Sequence, residues 1–363
     1  MAVYTQIDDP SAHFKVQLYT GNASTQSITF DDTDTDLQPD LLWIKCRGAA
    51  ENHTIVDSVR GDSTENSGYK YLQANTTSAE QAHSGNTLVD AITSDGFNIG
   101  NNDQVNIAQP FVAWAWKAGT SFSNDASATS VGSVDSTGSI NTDAGISIMS
   151  WTSLASGSNY TIAHGISTPA VIIMKGRHES NSWQVYHHKN TSAPETDYLD
   201  LSTDDATADY TVWNDTAPTS SVMSLGTWSG LDDGGTMIAY LFAEKQGFSK
   251  FGGYTGNGNT DGTFVYTGFR PAFVMFKCTS ASDKWSIFDN KRDVDNPTEL
   301  YLRANIADAE GSHATKKADF LSNGFKPRTT SQEWNGDGQS YIYMAFAEAP
   351  FVTGSGGVPC NAR

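Results

Sequence analysis

Glycoside hydrolysis needs two carboxylates facing one bond, and Glu244 and Glu348 each follow Phe-Ala in matched contexts. They lie far apart in the chain, and Lys117 stands at the corresponding place of a third such context, so a catalytic acid pair is not expected. The run DDTDTD sets alternate carboxylates at Asp32, Asp34 and Asp36. Calcium takes several oxygen ligands from such loops, and it is the one cofactor the sequence offers; the glycine and distal glutamate of an EF-hand are missing, leaving a solvated acidic turn as the competing reading. Asp232 and Asp233 are a weaker instance. None of the eight histidines falls at a metal-ligand spacing. His187 and His188 are adjacent, so on a strand their rings point to opposite faces. Neither a nucleophile elbow nor a phosphate-binding loop occurs. Asp57 with Arg60, and Asp289 with Arg292, read as structural ion pairs in turns.

Tryptophan is the remaining chemistry, since sugar rings can stack their apolar faces on it. Trp114 and Trp116, like Trp183 and Trp285, sit in apolar, repeated contexts that predict core packing. Trp213, Trp228 and Trp334 lie in polar, turn-rich stretches and are the candidate ligand-binding residues.

The elements that position these residues come in threes. A proline opens an apolar run ending in lysine at Pro39–Lys45, Pro169–Lys175 and Pro271–Lys277. Tyr-Leu pairs follow at Tyr71, Tyr198 and Tyr301, and closing runs start at Phe111, Met237 and Tyr341. Equal spacing of unlike motifs indicates an internal repeat. LYTGN from Leu18 and GYTGNG from Gly253 open the outer copies, whereas the middle copy has MSWTS from Met149; YLQANTTSAE and YLRANIADAE likewise match only between the outer copies. The apolar runs are short, β-branched and aromatic, which is a strand signature. LLWIK, VIIMK and FVMFK predict strands buried on both faces. WQVYHH and WSIFDN predict strands with one wet face, and no segment sustains a helix, ADAEGSHATKKADF being the nearest.

The expected fold is all-β, with three tandem β-sandwich domains of jelly-roll or lectin-like type. They span residues 1–119 with an N-terminal arm, 145–247 and 248–351, followed by a tail over 352–363. Residues 120–144, rich in Ser, Thr, Asp and Gly, read as a flexible linker or an extended arm, about which the first domain would hinge. The second and third have no spacer between them. Cys46 and Cys278 occupy equivalent strand ends and, with Cys360, make too few cysteines for a disulfide framework.

Formal net charge is −19, so the basic footprint of a nucleic-acid partner is missing and anionic membranes are disfavoured. No run reaches the roughly 18 apolar residues of a membrane span. The start, MAVYTQIDDPSAHFK, lacks the pattern of a secretory signal, so synthesis in a cytoplasm is expected.

The segments IDDPSAHFKVQLYTGN, SDGFNIG with FVAWAWKAG, and AEKQGFSKFGGYTGNGNTDGTFVYTGFRPAFVMFK resemble structural proteins of tailed bacteriophages infecting marine and freshwater bacteria, cyanophages and pelagiphages included. The resemblance implies a non-enzymatic virion protein of tail or fibre type. Its partners would be other virion proteins, further copies of itself in the particle and host surface glycans. A capsid decoration protein is the alternative, favoured by the lack of any coiled-coil or β-helical shaft. A glycan-cleaving depolymerase is the second alternative and would need an acid pair within one domain or at a subunit seam.

Overall fold

β-Branched and aromatic residues at consecutive positions suit a pleated surface buried on both sides, and the apolar runs are strands. The computed structural model describes residues 5–30, 35–61, 68–83, 85, 88–155, 157–228, 234–353 and 360. Strands dominate, the few helices have four residues or fewer, and the named strands pair antiparallel, so the fold is all-β and sandwich-like.

One strand order occurs three times. An opening strand (Phe14–Thr20, Ile146–Thr152, Ser249–Thr255) lies beside a closing strand (Pro110–Trp116, Thr236–Phe242, Ser340–Pro350). The closing strand pairs with a central strand (Leu41–Cys46, Val171–Gly176, Phe269–Cys278), and that with a fourth (Thr54–Asp57, Gln184–His187, Ser286–Asp289). The register repeats as well. Leu42 is opposite Ala115 and Val56, Ile172 opposite Leu241 and Tyr186, and Val274 opposite Ala345 and Phe288. A smaller outer sheet or strand pair covers one face of each large sheet.

Alternation along the central strands explains why they are apolar throughout. Leu42, Ile44 and Cys46 face the first unit's own outer sheet, while Leu41 and Trp43 face a cluster common to all three units. Ile172 and Met174 part from Val171 and Ile173 in the same way, as Val274 and Phe276 do from Phe273 and Met275. At the centre the equivalent rings Trp116, Phe242 and Phe346 form a triangle with centroid separations of 6.3, 5.7 and 5.6 Å. The three units therefore surround a pseudo-threefold axis and share one core.

That shared core changes several expectations. The units are not independent tandem sandwiches, and the first does not hinge. Residues 120–144 are not a free linker: Thr120–Asn124 pairs with Ser136–Asn141, which pairs with Ile146–Thr152, extending the second large sheet to eight strands. Small residues are needed there, because a Cβ on Gly138 would lie 2.1 Å from the Ile148 carbonyl. The buried Asp40 carboxylate ties the hairpin down, accepting from the Ser58 hydroxyl, the Ala118 N–H and the Ser139 hydroxyl at 2.7, 3.0 and 3.4 Å. The wet face expected of Gln184–His187 and Ser286–Asp289 is also absent, since all of these residues are buried. Trp183 and Val185 face the shared core and Tyr186 the outer one.

Candidate functional site

The repeated motifs position side chains at the three seams between units. Each strand-ending lysine reaches the next unit: Lys45 Nζ donates to the Ala307 carbonyl, Lys175 to Thr77 and Lys277 to Asp204, at 3.0, 3.0 and 3.3 Å. Burial pushes each ammonium down to about 8. Eight residues beyond each lysine, a ring nitrogen bonds the carbonyl after the neighbour's Tyr-Leu pair. Trp183 Nε1 donates to Gln73 and Trp285 Nε1 to Asp200, both at 2.9 Å, and His53 Nε2 to Arg303 at 3.0 Å. The matching outer stretches YLQANTTSAE and YLRANIADAE supply the glutamates of two seams. Arg177 grips Glu80 through two nitrogens at 2.8 and 2.9 Å, and Arg47 grips Glu310 at 3.0 and 2.8 Å. The middle unit lacks that stretch; where the other seams carry the arginine–glutamate pair, its seam with the third unit has the backbone bond from Thr207 N–H to Thr279, and its ion pair is Lys284 with Asp204 at 2.5 Å.

The expected turn ion pairs are present and are also seam elements. Arg60 Nε meets Asp57 and Arg292 Nε meets Asp289, each at 2.5 Å and each fully buried. Asp57 accepts from the Tyr240 hydroxyl at 2.7 Å, and Asp289 from Trp114 Nε1 at 3.1 Å. His187, at the equivalent place in the middle unit, donates from Nε2 to the Tyr343 carbonyl at 3.0 Å.

The two candidate acids are each held by a base. Glu244 is paired with Lys250 at 2.8 Å, and Glu348 with Arg270 at 3.0 Å. Glu333, which sequence reasoning missed, is buried between two bases, Arg303 and Lys316. Burial alone would raise its pKa, but hydrogen bonds from Arg303 and Lys316 hold it at about 2. An acid so firmly ionised cannot donate a proton near neutrality.

The candidate tryptophans divide. Trp213 and Trp334 are buried in outer cores, and this corrects their assignment to a binding surface. Trp213 Nε1 donates to the Asp197 carbonyl at 3.1 Å, and Trp334 Nε1 to the Ser286 hydroxyl at 2.9 Å. The stretches around them are polar because each ring enters the core from a single short helical turn. An asparagine follows Trp213 and Trp334, as one follows Val105, and this was the sequence signal that all three positions are equivalent. Asn106 and Asn335 accept from the N–H of Asn22 and Asn257 at 2.7 and 3.0 Å, clamping the YTGN turns. Gly21 and Gly256 are required there, because a Cβ would lie 2.0 and 2.2 Å from the carbonyls of Ile107 and Gly336.

Trp228 alone remains half-exposed, packed edge-on against Tyr198 and Tyr210 at 5.0 and 4.6 Å. Tyr210 is 48% exposed. In the outer units the equivalents of Tyr198 are buried, Tyr71 bonding Gln81 and Tyr301 lying under Arg303 and Lys316. Asp32, Asp34, Asp232 and Asp233 lie outside the described residues, and Asp36 is exposed. Among the described residues no group of three or more His, Cys, Asp or Glu is placed to hold a metal ion.

A triplicated, all-β module with interlocked polar seams and a few exposed aromatic side chains is the class of protein that fold and side chains define. The chain belongs to the family described as a domain of unknown function, DUF7483, which matches residues 9–350. No curated protein and no solved structure matches it.

Proposed function

We propose that the protein is a non-catalytic virion component of a tailed bacteriophage, tail-associated, whose fused three-unit body contacts neighbouring virion subunits and host surface glycans. One observation carries the reading: the acids and bases that could perform chemistry hold the three units together. Asp57 and Arg60 bond Tyr240, Asp289 bonds Trp114 and Arg292 lies over its ring, and Glu80 and Glu310 are gripped by Arg177 and Arg47, all buried or nearly so and each across a seam. Groups fixed in this way confer rigidity, which suits a part that must keep its shape in a particle. The half-exposed Trp228, with Tyr198 and Tyr210, is the aromatic surface such a part would turn outward. The likeness of the motifs to phage structural proteins supports the same reading.

The test is gold-labelled antibody on purified particles, alongside mass spectrometry of their proteins. Label on tails is the expected result. Label on heads would make the chain a capsid decoration protein, and its absence from purified particles would end the virion reading.

A further inference from the structure

We propose that the groove where the second unit's closing strand passes into the third unit is a binding site for an uncharged oligosaccharide. The groove has a volume of about 450 Å³ and is lined by Glu244, Gln246, Lys250, Tyr266 and Phe351, with Gln6 of the N-terminal segment at its rim. That volume lies in the range of about 300–1,000 Å³ typical of small-ligand sites.

Tyr266 in the groove, and Phe264 next to it on the strand outside the groove, are unusual for this chain, which buries nearly all its large rings. Phe264 and Tyr266 are 46% and 60% exposed, while Val265 between them points into the outer core. Alternation on the strand therefore puts both rings on the outward face. Each ring lies over a glycine: Phe264 approaches the Cβ position of Gly324, and Tyr266 that of Gly268. The loop beneath is fixed, since Asn323 accepts from the N–H groups of Thr267 and Gly268 at 2.9 and 3.2 Å.

The polar side is equally fixed. Glu244 Oε1 accepts from the Phe251 N–H at 2.9 Å and Oε2 from Lys250 Nζ at 2.8 Å. A carboxylate offers about four acceptor sites, so this one can still take a hydroxyl donor. An exposed ring beside a held acceptor and side-chain amides matches a pyranose, which has a C–H face for the ring and hydroxyls for the rest. The adjacent charges of Glu244 and Lys250 balance, and the net charge of −19 repels polyanions. A peptide strand is a poorer fit, because the edge strand Val265–Tyr266 is only two residues long. This inference rests on the glycan-contact part of the proposed function and is independent of the chain's place in a particle.

The experiment is saturation-transfer NMR on the purified chain with maltotriose, triacetylchitotriose and mannotriose, and with a Gly/Ser peptide for comparison. At least one trisaccharide should receive saturation on its ring C–H protons. Binding should weaken about tenfold or more in Tyr266→Ala, as for loss of an aromatic anchor, and should fall in Glu244→Gln. Tyr266 is exposed, so its removal leaves the core intact. No transfer to any trisaccharide, transfer intact in Tyr266→Ala, or transfer to the peptide alone would each overturn the proposal. Particle labelling is unaffected by any of these outcomes, so the virion reading stands or falls separately.

Discussion

Mild acid should loosen this molecule, and three buried histidines set the size of the effect. His53, His164 and His187 are all but inaccessible, and their hydrogen bonds define one tautomer. In each, Nε2 donates to a carbonyl: Arg303, Thr219 and Tyr343 respectively. In each, Nδ1 accepts a proton already held by another group: Trp43 Nε1, Ile166 N–H and Lys189 N–H. A second proton on the ring would meet a donor, and burial penalises the charge. Burial accordingly lowers His164 to about 4 and His187 to about 3, and lowers His53 well below its usual value, with Lys45 adding to the effect. These groups stay neutral when folded and take up protons near 6.5 when unfolded. The unfolded state therefore binds more protons below that value, and stability falls with pH. By about pH 5 each ring has cost roughly 2 kcal/mol, so the three together cost about 6 kcal/mol. That is a large part of the typical total of about 5–15 kcal/mol. Burial lowers the half-buried His13 and His188 as well, which adds to the fall, while it raises the carboxyls of Asp40 and Asp283, which opposes it; Glu333, at about 2, takes no part in this window. Urea unfolding followed by tryptophan fluorescence should show the midpoint dropping between about pH 7 and pH 5, and His187→Gln should remove about a third of the drop. A midpoint that stays flat over that range, or a drop unchanged in His187→Gln, would refute the reasoning.

Three further outcomes are expected. Phe346→Ala should cost about 3–5 kcal/mol, and because Phe346 touches Trp116 and Phe242 calorimetry should show the whole chain melting earlier in one transition, not the third unit alone. Arg292→Met leaves the buried Asp289 carboxylate without its counter-charge and should cost about 3–5 kcal/mol, measured by denaturant titration. Gly256→Ala forces a Cβ against the Gly336 carbonyl and should destabilise by more than about 1 kcal/mol, with amide exchange rising first around the Asn257–Asn335 clamp.

The sequence alone determined what is local and periodic. Strand identity followed from runs such as PDLLWIK, and their equivalence followed from equal spacing, which the common register of Leu42, Ile172 and Val274 bears out. The YTGN turns and the Asp-Arg pairs were legible because each is made by residues close in the chain or repeated with the fold. The candidate site was less legible. Trp213 and Trp334 sit among polar residues yet enter a core, because burial depends on what a single turn of chain is packed against and not on its neighbours in sequence. Residues 120–144 have few apolar side chains, yet their backbone groups complete a sheet whose edge the sequence does not display. Only the tertiary structure decided that the units close on one another. A lysine at a strand end looks the same whether it faces water or, like Lys175, a carbonyl of the adjacent unit. The triangle of Trp116, Phe242 and Phe346 joins residues more than a hundred positions apart, and nothing within any one repeat records where the other two will lie.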